Sequence, residues 1–193
     1  MQLLVHMHLE SDAIFGSGMS MPGGEDICVL TDPDGFPYLK GSTLKGIFRE
    51  ELINELAWED RPEQEASRMV KELMGEGGSD DLQCRRRLVF SDLTLHPDLV
   101  RTVREEDGIT AQEILAMFTY LRTFTSVDDG IAKEGSLRVA RCVKKGLNFY
   151  GICTCQKEDA PLVKEILETI KWAGSMRSRG FGKVWIRGEE IGA

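Results

Sequence analysis

Residues 37–49 read Pro37-Tyr38-Leu39-Lys40-Gly41-Ser42-Thr43-Leu44-Lys45-Gly46-Ile47-Phe48-Arg49 and predict a glycine-bearing loop that runs into a helix. Apolar side chains then recur every four positions, at Leu44, Phe48, Leu52 and Leu56. This spacing is typical of one buried helix face. Ser42 is the predicted N-cap, because its hydroxyl can accept a hydrogen bond from a backbone N–H one turn further on. The sequence therefore predicts a helix that begins near residue 42.

The cations of this helix allow two interpretations. Lys45 and Arg49 lie beside the apolar stripe, and a lysine in the first turn opposes the helix dipole unless an anion binds there. Gly41 and Gly46 would let a bulky ligand approach the backbone closely. The functional interpretation is a clamp for a phosphate backbone. The structural interpretation is an ordinary amphipathic helix with a glycine-rich entry loop.

Length and composition predict one domain over residues 1–193, with insertions at about 59–84 and 96–135. No apolar run reaches the length of a membrane span, and no export signal is recognised, so we expect no membrane partner and a cytoplasmic location. The five cysteines are widely spread, and Cys153 and Cys155 have no clear second pair. Reduced core cysteines are expected, and no zinc site is predicted.

The net charge of −8 at first argues against nucleic acid, but the charges are segregated. Segments 40–49, 85–87, 133–146 and 171–187 hold sixteen of the 24 Lys and Arg residues and a single acid, Glu134. The remainder of the chain carries the other acids. A fold that gathers these segments on one surface would focus positive potential there, which is what a polyanion needs.

The order of predicted elements indicates an α+β domain with a ferredoxin-like or RRM-like βαββαβ plan, an antiparallel sheet and two helices on one face. The central strands are expected to lack the aromatic stacking pair of an RNA-recognition motif. The predicted elements are a strand at 1–10, helices at 42–58 and 63–74, a strand at 88–95, a helix at 110–123, a β-hairpin of strands 136–142 and 147–155, a helix from Asp159 ending at Gly174, and a strand at 183–187.

The loop at 11–37 precedes the opening helix and should lie near the same ligand. Asp26 follows Gly23-Gly24, which give it room to face that ligand. A carboxylate there is a candidate for metal binding or proton transfer, whereas the neutral interpretation is a turn-forming, solvated acid. His6 and His8 could form a metal pair, but two strand residues on a solvated face are favoured because no third ligand is evident.

Four motifs, in this order, resemble those of the RAMP superfamily (repeat-associated mysterious proteins) of CRISPR systems, and more narrowly the repeated backbone subunits of type III effector complexes. They span nearly the whole chain. Lys40 replaces the family's usual proline and Thr43 its second serine. The four motifs are residues 37–49, Arg87-Leu88-Val89-Phe90-Ser91-Asp92, Gly130-Ile131-Ala132-Lys133-Glu134-Gly135-Ser136-Leu137 and Gly174-Ser175-Met176-Arg177-Ser178-Arg179-Gly180-Phe181-Gly182.

The resemblance implies a subunit that lines up in several copies along a CRISPR RNA (crRNA), together with other effector subunits. It also implies a β-hairpin thumb, placed at about 96–135, that inserts between guide and target every six nucleotides. Ser126, Asp128 and Ile131 are its predicted target-side residues. The residues expected to contact the guide are Lys40, Ser42, Lys45, Arg49, Arg87, Arg177, Arg179 and Lys183.

The family's cleaving subunits carry an aspartate that matches Asp26, followed by Ile27-Cys28-Val29-Leu30-Thr31-Asp32-Pro33. Asp26 would hold Mg²⁺ or position the 2′-OH of the target RNA, giving a 2′,3′-cyclic phosphate and a 5′-hydroxyl. One alternative is a non-catalytic structural subunit that binds crRNA. Another is a metal-independent crRNA-processing nuclease with a base among His6, His8 and His96. A third is an acidic ferredoxin-like binding domain unrelated to RNA.

Overall fold

The computed structural model describes residues 1–21, 24–75, 88–125, 127–128, 131–132 and 135–192. These residues form five helices and nine strands, and one 3₁₀ turn, Arg177–Arg179, precedes the last strand. The elements are β1 (Gln2–Leu9), α1 (Gly41–Trp58), α2 (Glu63–Met74), β2 (Val89–Phe90), β3 (Thr94–Leu95), α3 (Pro97–Arg104), α4 (Ala111–Phe118), β4 (Thr119–Phe124), β5 (Val127–Asp128), β6 (Ile131–Ala132), β7 (Arg138–Val143), β8 (Asn148–Thr154), α5 (Ala160–Thr169) and β9 (Val184–Glu190).

The main sheet has the strand order β2–β8–β1–β9, with β3 also pairing with β8, and all of these pairs are antiparallel. Alternate residues of β1, namely Leu3, Val5, Met7 and Leu9, are fully buried. They join the apolar faces of α1 and α5 in one core. The predicted α+β class with an antiparallel sheet is confirmed, because the period-two pattern of β1 and the helical stripe of α1 both point into this core.

A second sheet is formed by β4 and β7, from Thr119↔Val143 to Phe124↔Arg138. The short strands β5 and β6 pair at its far end. This pairing corrects two predictions. The helix expected over 110–123 ends at Phe118, and the predicted hairpin of 136–142 with 147–155 is wrong, because β8 pairs instead with β1, β2 and β3.

The boundary of α4 has a physical cause. The capping box of Thr110 and Glu113 fixes the start of this helix, as predicted. Lys144 Nζ donates to the carbonyls of Ala116 and Met117 at 3.2 and 2.7 Å, which satisfies two carbonyls of its last turn. The residues that follow, 119–124, are rich in β-branched and aromatic side chains, which favour a strand once β7 is available as a partner.

The other predicted element boundaries differ less from the observed ones. Helix α2 and its C-cap Gly75, with φ of 76°, lie where they were predicted. The strand expected at 88–95 is split into β2 and β3, and α3 was not predicted. Helix α5 ends at Thr169 rather than at Gly174, because Ile170 is already extended. None of the helices in the described part of the chain combines the length and apolarity that crossing a bilayer requires.

The start of α1 corrects the predicted N-cap. Lys40 is the N-cap residue and makes no side-chain cap hydrogen bond, whereas Ser42 lies inside the first turn with an exposed side chain. The Gly41 N–H donates to Asp92 Oδ1 at 2.8 Å. An anion does bind the N-terminus of this helix, as the dipole favours, but it is a carboxylate of the chain itself. Asp92 ends the second of the four motifs.

Gly41 is required by the packing of the chain on itself. A Cβ at this position would overlap the carbonyl oxygen of Phe90 and lie 2.5 Å from that of Ser91, whereas a Cβ at Gly46 would meet nothing within 4 Å. The close approach inferred for Gly41 from the sequence is therefore made by the backbone between β2 and β3. Gly46 remains open on an exposed helix surface.

We therefore expect Gly41→Ala and Gly46→Ala to shift stability in opposite directions. Gly41→Ala should lower the free energy of unfolding by about 2 kcal/mol, because backbone must move to relieve the overlap. Gly46→Ala should raise it by up to about 1 kcal/mol, because alanine restricts the unfolded chain and favours helix. Urea unfolding of both variants measures the two effects, and equal changes would contradict the packing role of Gly41.

Candidate nucleic-acid interface

A cleft of about 160 Å³ lies between the start of α1 and the C-terminal glycine-rich loop, residues 174–182. Thr43 and Ile47 line it from the helix, and Gly174, Ser175 and Arg177 line it from the loop. The first and fourth motifs, residues 37–49 and 174–182, thus meet at one place. The Arg177 side chain at its rim is exposed, and its Nη1 lies 3.6 Å from Glu50 Oε2.

The glycines of the loop give it its shape. Gly174 and Gly182 have φ of 91° and 78°, in the left-handed region that favours glycine. A Cβ at Gly174 would lie 2.6 Å from the carbonyl oxygen of Ile14, and one at Gly182 would overlap that of Ala173. Both ends of the loop therefore pack closely against backbone, at Ile14 and at Ala173. The turn between them presents Arg177 and Arg179 to solvent.

The predicted guide-contacting residues of α1 fall into two groups. Lys40 and Ser42 are exposed, and Lys45 is half-buried on the first turns of the helix. Arg49 Nη2 donates to the carbonyl of Gly75 at 3.0 Å, so this guanidinium ties α1 to the end of α2. The structure therefore gives Arg49 a structural contact, whereas Lys40 and Ser42 present their side chains outward.

The remaining predicted contacts are scattered around the C-terminal loop. The Arg179 guanidinium lies 5.7 Å from the centre of the Phe124 ring, and Lys183 Nζ lies 3.2 Å from Glu10 Oε2. Arg87 and Ser126 lie outside the described residues. Asp128 and Ile131 face each other as a backbone pair between β5 and β6, at the far end of the β4–β7 hairpin.

The hairpin is joined to the glycine-rich loop by a cluster of two rings and two cations. Phe124 of β4 and Phe181 of the loop meet edge to face at 5.6 Å. The Arg122 guanidinium lies 5.0 Å from the Phe181 ring centre, and Arg179 covers Phe124. The sequence analysis did not identify this cluster. It places two arginines where the end of β4 meets the glycine-rich loop.

The segment 13–17 connects the cleft to the Asp26 loop. Its Ile14 carbonyl accepts from the Ser175 N–H at 3.0 Å, and its Phe15 carbonyl accepts from the Leu30 N–H at 2.9 Å. Gly16 also bridges Val29. The glycine-rich loop and the residues that follow Asp26 in its loop therefore contact the same segment.

Asp26 is held against strand β7 by its own backbone and side chain. Its N–H donates to the Val139 carbonyl at 2.8 Å, and its Oδ2 accepts from the Val139 N–H at 2.7 Å. The side chain is exposed, and Oδ1 has no hydrogen-bond partner among the described residues. One carboxylate oxygen is thus fixed by the hairpin while the other is directed to solvent.

A buried ion pair lies directly beside Asp26. The Arg141 guanidinium of β7 contacts the Glu25 carboxylate through both Nε, at 2.8 Å, and Nη2. Its Nη1 donates to Thr119 Oγ1 at 3.0 Å, and that hydroxyl donates to the Leu115 carbonyl at 2.6 Å. The two side chains are 16% and 12% exposed. Glu25 was not among the residues predicted from the sequence, and no local signal pairs it with Arg141.

The described residues contain no group of three or more His, Cys, Asp or Glu side chains arranged to hold a metal ion. Both Arg141 contacts are to Glu25 Oε1, so Asp26 Oδ1 and Glu25 Oε2 are the carboxylate oxygens of this site without a hydrogen bond among the described residues. Mg²⁺ commonly binds one or two carboxylates and completes its shell with water and substrate phosphates. A single-carboxylate Mg²⁺ site that RNA completes is therefore compatible with these residues.

The three histidines already have partners. His6 Nε2 and His8 Nδ1 lie 3.0 and 2.9 Å from the same oxygen, Asn148 Oδ1, and His96 accepts from the Asp98 N–H at the start of α3. His6 also stacks on Tyr150 with ring centres 4.6 Å apart. His6 and Tyr150 pack on each other across β1 and β8, and the expectation that the central strands lack the base-stacking pair of an RNA-recognition motif stays a prediction.

These features define an α+β domain with an antiparallel sheet, two packed helices, a side hairpin and a cleft between helix α1 and a basic glycine-rich loop. The family model of the RAMP superfamily matches residues 6–185. The chain belongs to the RAMP superfamily.

Two solved structures are similar to this chain over 97% of its length and 97% of theirs. One is a cryo-EM structure of the type III-B Cmr-beta complex bound to cognate target RNA, with a TM-score of 0.72 and 14% identity. The other is the apo state of the type III-B Cmr-beta complex, with a TM-score of 0.70 and 14% identity. No curated protein matches the chain. At this identity the structures establish a shared fold.

Proposed function

We propose that this chain is a backbone subunit of a type III CRISPR effector complex that binds crRNA along its length and cleaves complementary target RNA at six-nucleotide intervals through Asp26. Its partners are crRNA, target RNA, further copies of itself and other effector subunits. The observation that carries the proposal is the meeting of the first and fourth RAMP motifs at one basic-rimmed cleft. The similar Cmr-beta structure bound to target RNA supports the same assignment.

We also assign a ferredoxin-like core and a thumb to this chain. The strand order β2–β8–β1–β9 with α1 and α5 on one face supports a ferredoxin-like core. We assign the thumb to the β4–β7 hairpin, with Asp128 and Ile131 at its target side. The insertions at about 59–84 and 96–135 would then be additions to this core. The Phe124–Phe181 contact ties the thumb to the guide-binding loop.

The reaction is transfer of the target phosphate from the 5′-oxygen to the neighbouring 2′-oxygen. The 2′-O–P bond forms, the P–O5′ bond breaks, the 2′-OH loses its proton and the leaving 5′-oxygen gains one. The thumb separates one target nucleotide from the duplex so that its 2′-OH can reach the in-line position. The Val139 N–H holds Asp26 Oδ2, so that Oδ1 faces the reacting group. Mg²⁺, when bound, supplies positive charge to the phosphate oxygens.

A non-catalytic crRNA-binding subunit of the same complex is the second candidate. It is favoured by the engagement of the neighbouring Glu25 carboxylate with Arg141 and by the absence of a clustered metal centre from the described ranges. This candidate shares the cleft and the guide contacts and differs only in the role of Asp26. It predicts a complex that captures target RNA without cutting it.

We expect Lys45→Glu and Arg177→Glu each to weaken binding of guide RNA by about tenfold at 150 mM salt, because each change removes a cation beside the RNA backbone and adds an anion. The salt dependence should also fall, by about 0.7 in slope for each lost phosphate contact. Filter binding across a salt series measures both. Lys157→Glu, an exposed lysine outside the four basic segments, makes the same charge change and serves as the control. Equal losses in all three variants would contradict a localised clamp.

A further inference from the structure

The segment that carries Asp26 lies along the edge of β7 that β4 does not occupy. The Ile27 N–H donates to the Val139 carbonyl at 3.2 Å, and the Arg141 N–H donates to the Ile27 carbonyl at 3.0 Å. Ile27 and Ala140 are therefore partners in a short parallel bridge. Because β4 pairs with the other edge of β7, the hairpin and the Asp26 segment belong to one small sheet.

Glu25 anchors this segment at the end of an exposed loop. Residues 18–21 and 24 are exposed, the Glu25 side chain is only 12% exposed, and Asp26 is exposed again. Glu25 is thus the residue at which the loop returns to the fold, one position before the candidate catalytic carboxylate. Its anchor is the Arg141 guanidinium, which reaches Glu25 Oε1 through two nitrogens.

The Arg141 guanidinium joins three elements to the Asp26 segment. Arg141 belongs to β7, and its Nη1 donates to Thr119 Oγ1 at 3.0 Å at the start of β4. The Thr119 hydroxyl donates to the Leu115 carbonyl in the last turn of α4, and Thr119 is almost fully buried. The position of Glu25 is therefore fixed relative to β7, β4 and α4 at once.

A charged anchor differs from an apolar anchor mainly in its directionality. Buried ion pairs can often be replaced by well-packed apolar residues with little loss of stability, because desolvation offsets most of the attraction between the charges. The planar fork of a guanidinium, however, fixes the angle as well as the distance between the two partners. A pair of this kind, one residue before an exposed carboxylate, suits the control of orientation.

We infer that Glu25 and Arg141 position Asp26, so that Asp26 Oδ2 stays on the Val139 N–H and Oδ1 faces the RNA. Both residues act through Asp26 rather than on the RNA itself. The inference rests on the proposed function for the catalytic role of Asp26. Loss of the pair would release the residue that precedes Asp26, and displacing a catalytic group by about 1 Å can cost about 100-fold in rate.

The test is a double-mutant cycle on single-turnover cleavage by the assembled complex. We expect Arg141→Met to lower the cleavage rate by about tenfold or more at unchanged target binding, since the Asp26 carboxylate loses its fixed orientation. In the Asp26→Asn background the same change should alter the remaining rate by less than about twofold, because its effect passes through Asp26. Equal losses in both backgrounds would overturn the inference, since Arg141 would then act independently of Asp26.

Val163→Ala separates positioning from a general loss of stability. Val163 is fully buried in α5, which packs against α1 and β9, so this variant is destabilised without a change at the hairpin and should cleave at the wild-type rate. If Arg141→Met does not fold, Arg141→Lys takes its place in the cycle, because lysine keeps the cation and loses the fork. A wild-type cleavage rate in the folded Arg141 variant, or an equal loss in Val163→Ala, overturns the inference.

Hydrogen exchange of the Val139 N–H gives a readout that does not depend on cleavage. This N–H donates to Asp26 Oδ2, so the Arg141 variant should speed its exchange by about tenfold or more beyond the change in Val163→Ala. Equal exchange in the two variants overturns the inference.

The two measurements also distinguish this inference from the proposed function. If Asp26→Asn loses cleavage while the Arg141 variant keeps the wild-type rate, the positioning role fails and the proposed function stands. If Asp26→Asn cleaves undiminished while Val139 exchange is faster in the Arg141 variant, the catalytic assignment fails and the pair still holds Asp26 in place.

Discussion

Replacing Asp26 with asparagine is expected to lower the rate of target-RNA cleavage by about 100-fold or more while target binding stays unchanged. Asparagine keeps an oxygen that can accept from the Val139 N–H, so the loop remains in place on β7. It loses the negative charge that a metal ion or a transferred proton requires, and such groups typically contribute factors of about 10²–10⁴. Single-turnover cleavage by the assembled complex in Mg²⁺, with analysis of 2′,3′-cyclic phosphate ends, measures the effect.

Asp34→Asn is the matched control, since it makes the same chemical change in the same loop at a carboxylate paired with Arg104. It should cleave at the wild-type rate. Undiminished cleavage at every site by Asp26→Asn would reject the catalytic assignment. A wild-type complex that binds target and never cleaves it would establish the non-catalytic alternative instead.

Arg141→Met is expected to lower the free energy of unfolding by about 3 kcal/mol, because it leaves the Glu25 carboxylate buried without its partner. For a chain of this length that corresponds to a fall in Tm of roughly 6–12 °C. Glu25→Gln should cost a similar amount. The double variant should cost less than the sum of the two, since both changes break one interaction. Chemical denaturation of the four proteins measures the coupling.

Arg61→Met provides the control for this pair. Arg61 bonds Glu59 and Glu65 on the surface, where its side chain is 38% exposed, and such solvent-screened ion pairs contribute little to stability. Equal destabilisation by Arg61→Met and Arg141→Met would show that burial of the Glu25–Arg141 pair does not increase its contribution to the free energy of unfolding. Additive losses in the double variant would contradict direct coupling between the two side chains.

Elements with a strong local pattern were predictable from the sequence. The four-residue apolar stripe located α1, and the alternation of Leu3, Val5, Met7 and Leu9 gave the buried face of β1. The capping box gave the start of α4. Strand partners were not predictable in the same way, because pairing of β7 with β4 or with β8 depends on the whole sheet, and both pairings suit the same residues.

The candidate site likewise combines features that the sequence indicated with long-range contacts that it did not. The motif at 37–49 indicated a phosphate at the start of α1, whereas the Gly41 N–H there donates to Asp92, which lies 51 residues further along the chain. Gly41 is required by the nearby backbone of Phe90 and Ser91. The partnership of Glu25 with Arg141, 116 residues apart, has no local signature. Long-range contacts of this kind arise from the fold and not from sequence spacing.

The central claim, that this chain grips a guide RNA at the cleft between α1 and the glycine-rich loop, is tested most directly by sequencing the RNA that co-purifies with it. The wild-type chain in its complex should retain small RNAs that share a 5′ handle, and Lys45→Glu combined with Arg177→Glu should lose them while Lys157→Glu keeps them. Recovery of no RNA, or of RNA without a shared handle that all three proteins retain equally, would contradict the account.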